Sequence, residues 1–213
     1  MPVQAKICGL TSPEAVDAAL AGKAAWLGFV FFEKSPRHLS VERAAELARP
    51  VRGAAKTVAL LVDPTDEELR CVVEGMAPDL VQLHGRESPQ RTAEIRSRAG
   101  RPVIKALPVS DASDLDAAPA WEAAADHLMF DARPPQDAER PGGHGARFDW
   151  TLLQGRRFAR PWFLAGGLDP WNVAEAVRLS GAPGVDVSSG VERGQGVKDP
   201  ALISAFLAAA HSA

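Results

Sequence analysis

The sequence predicts an α/β protein folded as a (β/α)8 TIM barrel, a single domain over residues 1–213. Three observations carry that reading. Eight short apolar, β-branched or aromatic runs open near Val3, Trp26, Lys56, Asp79, Pro102, His127, Pro161 and Gly184. Their starts lie 23, 30, 23, 23, 25, 34 and 23 residues apart, too wide for hairpins and suited to strand–helix–strand units of a parallel sheet. Ala/Glu/Arg/Leu-rich stretches with helical period fill the gaps, and eight units of about 27 residues make a compact barrel. A doubly wound sheet usually has fewer strands, and the first turn, Cys8-Gly9-Leu10-Thr11, is no dinucleotide fingerprint.

The elements follow in order. After strand 1, Ser12-Pro13 opens a helix: serine caps the first free N–H groups, and proline has none to lose. Gly22 stops it. Strand 2 leads into 40–52, where Val41, Ala44, Ala45, Leu47 and Ala48 repeat at helical spacing up to Pro50. After strand 3, Thr65 and Glu68 form a capping box. Ser88-Pro89 opens the helix after strand 4, and Gly100 closes it. Strands 5 and 6 come next, then an irregular stretch over 132–147 with three prolines and three glycines. Loops of that length inside a compact domain are commonly functional. Asp169-Pro170 starts the helix after strand 7, Gly181 ends it, and Asp199-Pro200 starts the helix after strand 8.

Composition narrows the function. Hydrophobic residues make up 46% and charged residues 24%, enough for a real core, and the formal net charge of −3 argues against nucleic-acid binding. Two cysteines, Cys8 and Cys71, cannot form a disulfide scaffold, and no stretch reads as a secretory signal or membrane span. The expected location is the cytoplasm. The five histidines and two cysteines show no metal-ligand spacing, so no metal site is expected.

A barrel of this class works at the C-terminal ends of its strands. Those positions hold Cys8, Asp63, His84, Asp131, Gly166-Gly167 and Ser188-Ser189-Gly190. Strand alternation puts Lys6 on the face of Cys8 and Gln82 on that of His84, and Lys105 and Asp186 are read as pointing into the barrel. Such an interior is costly unless the groups pair or work. Taken singly, Cys8 is ordinary core, Asp131 a loop cap and His84 hydrogen-bonded scaffold. The turns at Gly166-Gly167 and Ser188-Gly190 say more. Flexible backbone at adjacent strand ends after strands 7 and 8 is the common phosphate-holding place in barrels.

Several motifs stand in order along nearly the whole chain: Lys6-Ile7-Cys8-Gly9-Leu10-Thr11, Gly28-Phe29-Val30-Phe31 with Ser35-Pro36-Arg37, and Val81-Gln82-Leu83-His84-Gly85. Phe148-Asp149-Trp150, Leu164-Ala165-Gly166-Gly167-Leu168 and Val185-Asp186-Val187-Ser188-Ser189-Gly190-Val191-Glu192 continue the set. Together they resemble the phosphoribosylanthranilate isomerase family. The resemblance implies a cofactor-free barrel of tryptophan biosynthesis. Its reaction would be the Amadori rearrangement of N-(5-phosphoribosyl)anthranilate to 1-(2-carboxyphenylamino)-1-deoxyribulose 5-phosphate. By motif, Cys8 would be the general base, Asp131 the general acid, and Arg37 the holder of the anthranilate carboxylate. Gly166, Gly167, Ser188, Ser189 and Gly190 would hold the phosphate, with His84 and Asp186 completing the substrate-binding set. The implied partner is this small molecule, not nucleic acid or membrane. Two positions depart from the family pattern: His144, where Thr or Ser is usual, and Gln195, where proline is usual.

The chemistry suits these residue types. Opening the furanose needs a proton on the ring oxygen, which a carboxylic acid with a raised pKa can give. A base must then take the proton from the neighbouring carbon. A free thiol is only about a few per cent ionised at pH 7. Lys6, about 7 Å along the same face, would favour the thiolate unless Asp186 competes for it. Arg37 can grip both oxygens of a benzoate-type carboxylate. Three other readings remain open at this point. One is a phosphosugar enzyme forming a Schiff base on Lys6 or Lys105. Another is an isomerase that also opens a histidine-pathway aminal. The third is a non-catalytic phosphate-ligand barrel.

Overall fold

The computed structural model describes residues 3–133, 142–143 and 145–213. Eight parallel strands close on themselves in sequence order. They are β1 Gln4–Cys8, β2 Trp26–Phe31, β3 Lys56–Leu61, β4 Leu80–Leu83, β5 Val103–Val109, β6 His127–Ala132, β7 Trp162–Leu164 and β8 Gly184–Val187. The helices are α1 Pro13–Ala21, α2 Val41–Ala48, α3 Asp66–Met76, α4 Pro89–Ala99, α5 Ala112–Leu115, α6 Pro119–Glu122, α7 Val173–Ser180 and α8 Pro200–His211. A two-stranded antiparallel ribbon, β9 Glu192–Gly194 with β10 Val197–Lys198, stands between β8 and α8.

Strand parity divides the core. Ala5 and Ile7 of β1, Ala59 and Leu61 of β3, and Val81 and Leu83 of β4 join the apolar layer shared with the helices. The alternate residues face inward. Val58, Leu80, Ile104, Ala106, Met129, Phe163 and Ala165 fill the lower interior, with Trp26 packed against them. Cys8, Val30 and Leu60 lie together toward the mouth. The barrel is therefore plugged below, and polar groups on inward positions collect above the plug.

Most caps form as the sequence indicates. Ser12, Ser88 and Asp199 accept backbone hydrogen bonds at the starts of α1, α4 and α8, and Thr65 with Glu68 forms both halves of a capping box. Three expectations need correction. Helix α7 opens at Val173 behind Asn172, because the Asp169 carboxylate instead accepts from the amides of Trp171 and Asn172 in a turn. The β5–β6 connection holds two four-residue helices rather than one. Among the described residues, the β6–β7 connection holds only a 3-10 turn, Trp150–Leu153, so the scheme of one helix per strand fails there.

Candidate active site

The site begins with register. Parallel pairing of β1 with β8 sets Lys6 level with Asp186, both on inward positions, and Lys6 Nζ lies 2.7 Å from Asp186 Oδ1. On the other side, β2 sets Gly28 level with Cys8. A methyl at Gly28 would stand 3.0 Å from Lys6 Nζ and 3.1 Å from Cys8 Sγ. The missing side chain gives the thiol and the ammonium their room. Gly9, at a left-handed φ of +76°, does the same for Arg37, whose Cδ passes 2.4 Å from where a Cβ would be.

Burial and charge then act against each other. Burial pushes the Cys8 thiol above its ordinary range, and Lys6 recovers only part of that. Lys6 favours the thiolate as expected, but burial, with Asp186 beside it, outweighs that pull. Burial also works against the Lys6 ammonium, but Asp186 first and Cys8 second hold its pKa above the ordinary value. Lys6 is a fixed cation, unsuited to act as a neutral amine.

Lys105 is a second correction. It has the outward parity of Val103 and Leu107 and reaches Glu87 Oε2 at 2.6 Å and the Gly85 carbonyl at 2.8 Å. It braces the β4–α4 turn outside the barrel. Asp63 is scaffold as well. Its carboxylate accepts from the Arg86 amide at 2.7 Å, while its own amide donates to Glu87 at 2.8 Å.

Across the mouth, Gln82, His84 and Asp131 form a chain. Gln82 Nε2 donates to His84 Nδ1 at 3.0 Å, and His84 Nε2 then donates to Asp131 Oδ2 at 2.9 Å. Asp131 is thus held in a defined orientation. Gly142 crosses directly above, so near that a Cβ would come 3.0 Å from His84 Nε2 and 3.1 Å from Asp131 Oδ2.

Arg37 is no solvated loop charge. The Ser35 hydroxyl accepts from its amide at 3.2 Å, fixing the turn after β2. Its guanidinium is buried and grips Glu192 with Nε at 2.6 Å and Nη2 at 2.9 Å. One edge of the fork is therefore occupied by the protein itself. Burial works against the Glu192 carboxylate, yet Arg37 and Lys198 hold its pKa down to about 2.

Cys8, Arg37, His84, Asp131, Gly166, Gly167, Asp186, Ser188 and Ser189 border one cavity, which also touches Val30, Leu60, Gly142 and Gly143. Gly190 does not line it. Its Cα presses on the Leu168 carbonyl, where a Cβ would sit 1.9 Å away, locking the turn after β8 onto the turn after β7. Sequence reasoning left Glu192, Lys198 and Gly142 without a role. The Gly194-Gln195-Gly196 turn is a hairpin signal that could have located the first two. His144 lies outside the described residues, as do 134–141 of the long loop, and Gln195 is exposed at the ribbon turn.

A thiol and a carboxyl flanking a cavity at the mouth of a (β/α)8 barrel, beside an arginine and two small-residue turns, define an acid–base barrel enzyme. Comparison with known proteins gives the family. The family model described as N-(5'phosphoribosyl)anthranilate (PRA) isomerase matches residues 5–209, and the chain belongs to that family. It is 63% identical to an N-(5'-phosphoribosyl)anthranilate isomerase from Caulobacter sp. (strain K31), over 96% of this chain and 97% of that one. The crystal structure of phosphoribosyl anthranilate isomerase from Thermotoga maritima superposes with a TM-score of 0.88 at 33% identity, covering 99% of this chain and 100% of that one. A second such isomerase has a TM-score of 0.84 at 31% identity over 99% of this chain and all of its own. It was crystallised with reduced 1-(o-carboxyphenylamino)-1-deoxyribulose 5-phosphate.

Proposed function

We propose that this barrel converts N-(5'-phosphoribosyl)anthranilate to 1-(2-carboxyphenylamino)-1-deoxyribulose 5-phosphate in the cytoplasm, with Asp131 as acid and Cys8 as base. Asp131 protonates the ring oxygen, the ring C–O bond breaks, and the nitrogen lone pair forms the imine. The Cys8 thiolate takes the proton from the adjacent carbon, leaving an enolamine. That enolamine gains a proton at C1 and loses its enol proton, giving the ketone. Protons and electrons balance without an external oxidant or reductant.

One observation carries this reading. Cys8 and Asp131 border the same cavity from strands on different sides of the mouth, between Arg37 and the turns after β7 and β8. Phosphate then belongs at Gly166, Gly167, Ser188 and Ser189, and the aryl carboxylate at the edge of Arg37 that Glu192 leaves uncovered. His84 and Asp186 hold their neighbours, Asp131 and Lys6, at the substrate's flank. The cavity measures about 80 Å³, below the about 300–1,000 Å³ of a small-molecule pocket. Among the described residues no helix is long and apolar enough to cross a membrane.

The test is growth. The gene should restore a tryptophan auxotroph lacking this isomerase, and the purified protein should consume the substrate in a fluorescence assay. Failure of both contradicts the assignment.

A further inference from the structure

Two buried cations share one buried carboxylate between the two ends of the proposed substrate. Glu192 takes Arg37 with both oxygens, at 2.6 and 2.9 Å, and Lys198 Nζ reaches Glu192 Oε1 at 2.8 Å. The same ammonium donates to the Ser188 carbonyl at 2.8 Å and lies 3.2 Å from its hydroxyl. The ribbon that carries Glu192 and Lys198 is pinned in turn. The Gly196 amide donates to Glu192 Oε2 at 3.1 Å, and a Cβ on Gly196 would come 2.7 Å from the Pro36 carbonyl, beside Arg37.

We propose that Glu192 and Lys198 are positioning residues that yoke Arg37 to the Ser188 turn, so that the carboxylate and phosphate ends of the substrate are held by one connected charge network. This rests on the proposed assignment of those ends. Neither Glu192 nor Lys198 borders the cavity, so both act through the residues they hold. The titratable and charged groups facing Lys198 are Glu192, Arg37 and Cys8, and burial brings its ammonium down to about 8 despite Glu192. Raising the pH through that value removes the proton and slackens the yoke.

A double-mutant cycle tests it, with melting temperature recorded for every variant. Lys198→Met should raise KM and the inhibition constant of inorganic phosphate about tenfold, and should lower kcat by less. Arg37→Ala should cost about thirtyfold in kcat/KM in the wild-type background but under about fivefold on Lys198→Met, because the yoked contact is already lost. Glu192→Gln should mimic Lys198→Met. Lys198→Arg should restore KM and abolish the rise in KM above about pH 8. If Lys198→Met fails to fold, Glu192→Gln and the Lys198→Arg pH profile carry the test. Additive losses, or a wild-type KM and phosphate affinity in Lys198→Met and Glu192→Gln, overturn the yoke. Should the wild type not turn over the substrate, the functional reading fails separately. Calorimetric binding of inorganic phosphate and of the reduced product analogue then still measures the coupling.

Discussion

Two strand lysines, Lys6 in β1 and Lys105 in β5, have the same sequence signature and opposite duties. Both are buried, and each holds one buried carboxylate, Asp186 for Lys6 and Glu87 for Lys105. Lys6 stands on an inward position under the mouth, close enough to Cys8 to bear on its ionisation. Lys105, one step out of phase, props a turn on the outer side of the sheet. A single residue of strand parity separates a group set beside the cavity thiol from one that braces a turn.

Removing each lysine gives the largest contrast. Lys6→Met and Lys105→Met should each destabilise the protein by about 3–5 kcal/mol, because each strands a buried carboxylate; denaturant titration measures it. Catalysis should divide them. Burial already places the Cys8 thiol above its ordinary value, so only a small fraction is the thiolate base at neutral pH. Lys6 favours that thiolate, so Lys6→Met should shift the Cys8 ionisation in the pH profile further up and cut kcat/KM at pH 7 by about tenfold or more. Lys105→Met should leave the pH profile in place and kcat/KM within about threefold. Matching pH profiles in the two variants would erase the distinction.

Arg37 sharpens the contrast from the rim, since it too holds a buried carboxylate but faces the cavity. Arg37→Ala should lose about 2 kcal/mol of transition-state stabilisation, about thirtyfold in kcat/KM, and Arg37→Lys should recover only part. Steady-state kinetics with full activity in Arg37→Ala would place the carboxylate elsewhere. The smallest effect belongs to pure scaffold. Thr65→Ala removes the capping box of α3 and should cost about 1 kcal/mol in thermal or chemical unfolding, with kcat and KM unchanged.

Where the sequence speaks through local pattern, it is legible. Every barrel strand begins within one residue of the apolar run that announces it, because spacing and proline caps are local signals. Cys8, His84 and Asp131 are legible for the same reason, as polar residues where inward strand positions run out. The sequence alone misplaces Lys105, because the inward phase of β5 is carried by Ile104 and Ala106, apolar like their outward neighbours Val103 and Leu107. A strand buried on both faces gives no alternation to read. Asp169-Pro170 looks like a helix start, but the asparagine three residues on takes its backbone into a turn: Asn172 Oδ1 accepts from the Asp169 amide at 2.9 Å. Glu192 gains meaning only through its contact with Arg37, more than 150 positions earlier in the chain, and Lys198 only through Glu192. No local pattern reports such a contact.

The most direct measurement of the acid–base assignment is the single-turnover rate of Cys8→Ser beside that of Asp131→Asn, with the affinity of the reduced product analogue measured in both. Serine is a far weaker base than a thiolate, and asparagine keeps the shape of aspartate without an acidic proton. Each variant should lose about 10²- to 10⁴-fold in the chemical step, roughly 3 to 5 kcal/mol, while analogue binding stays close to wild type. Single turnover keeps slow product release from hiding the loss. A Cys8→Ser protein that turns over at the wild-type rate would make Cys8 a packing residue and contradict the mechanism.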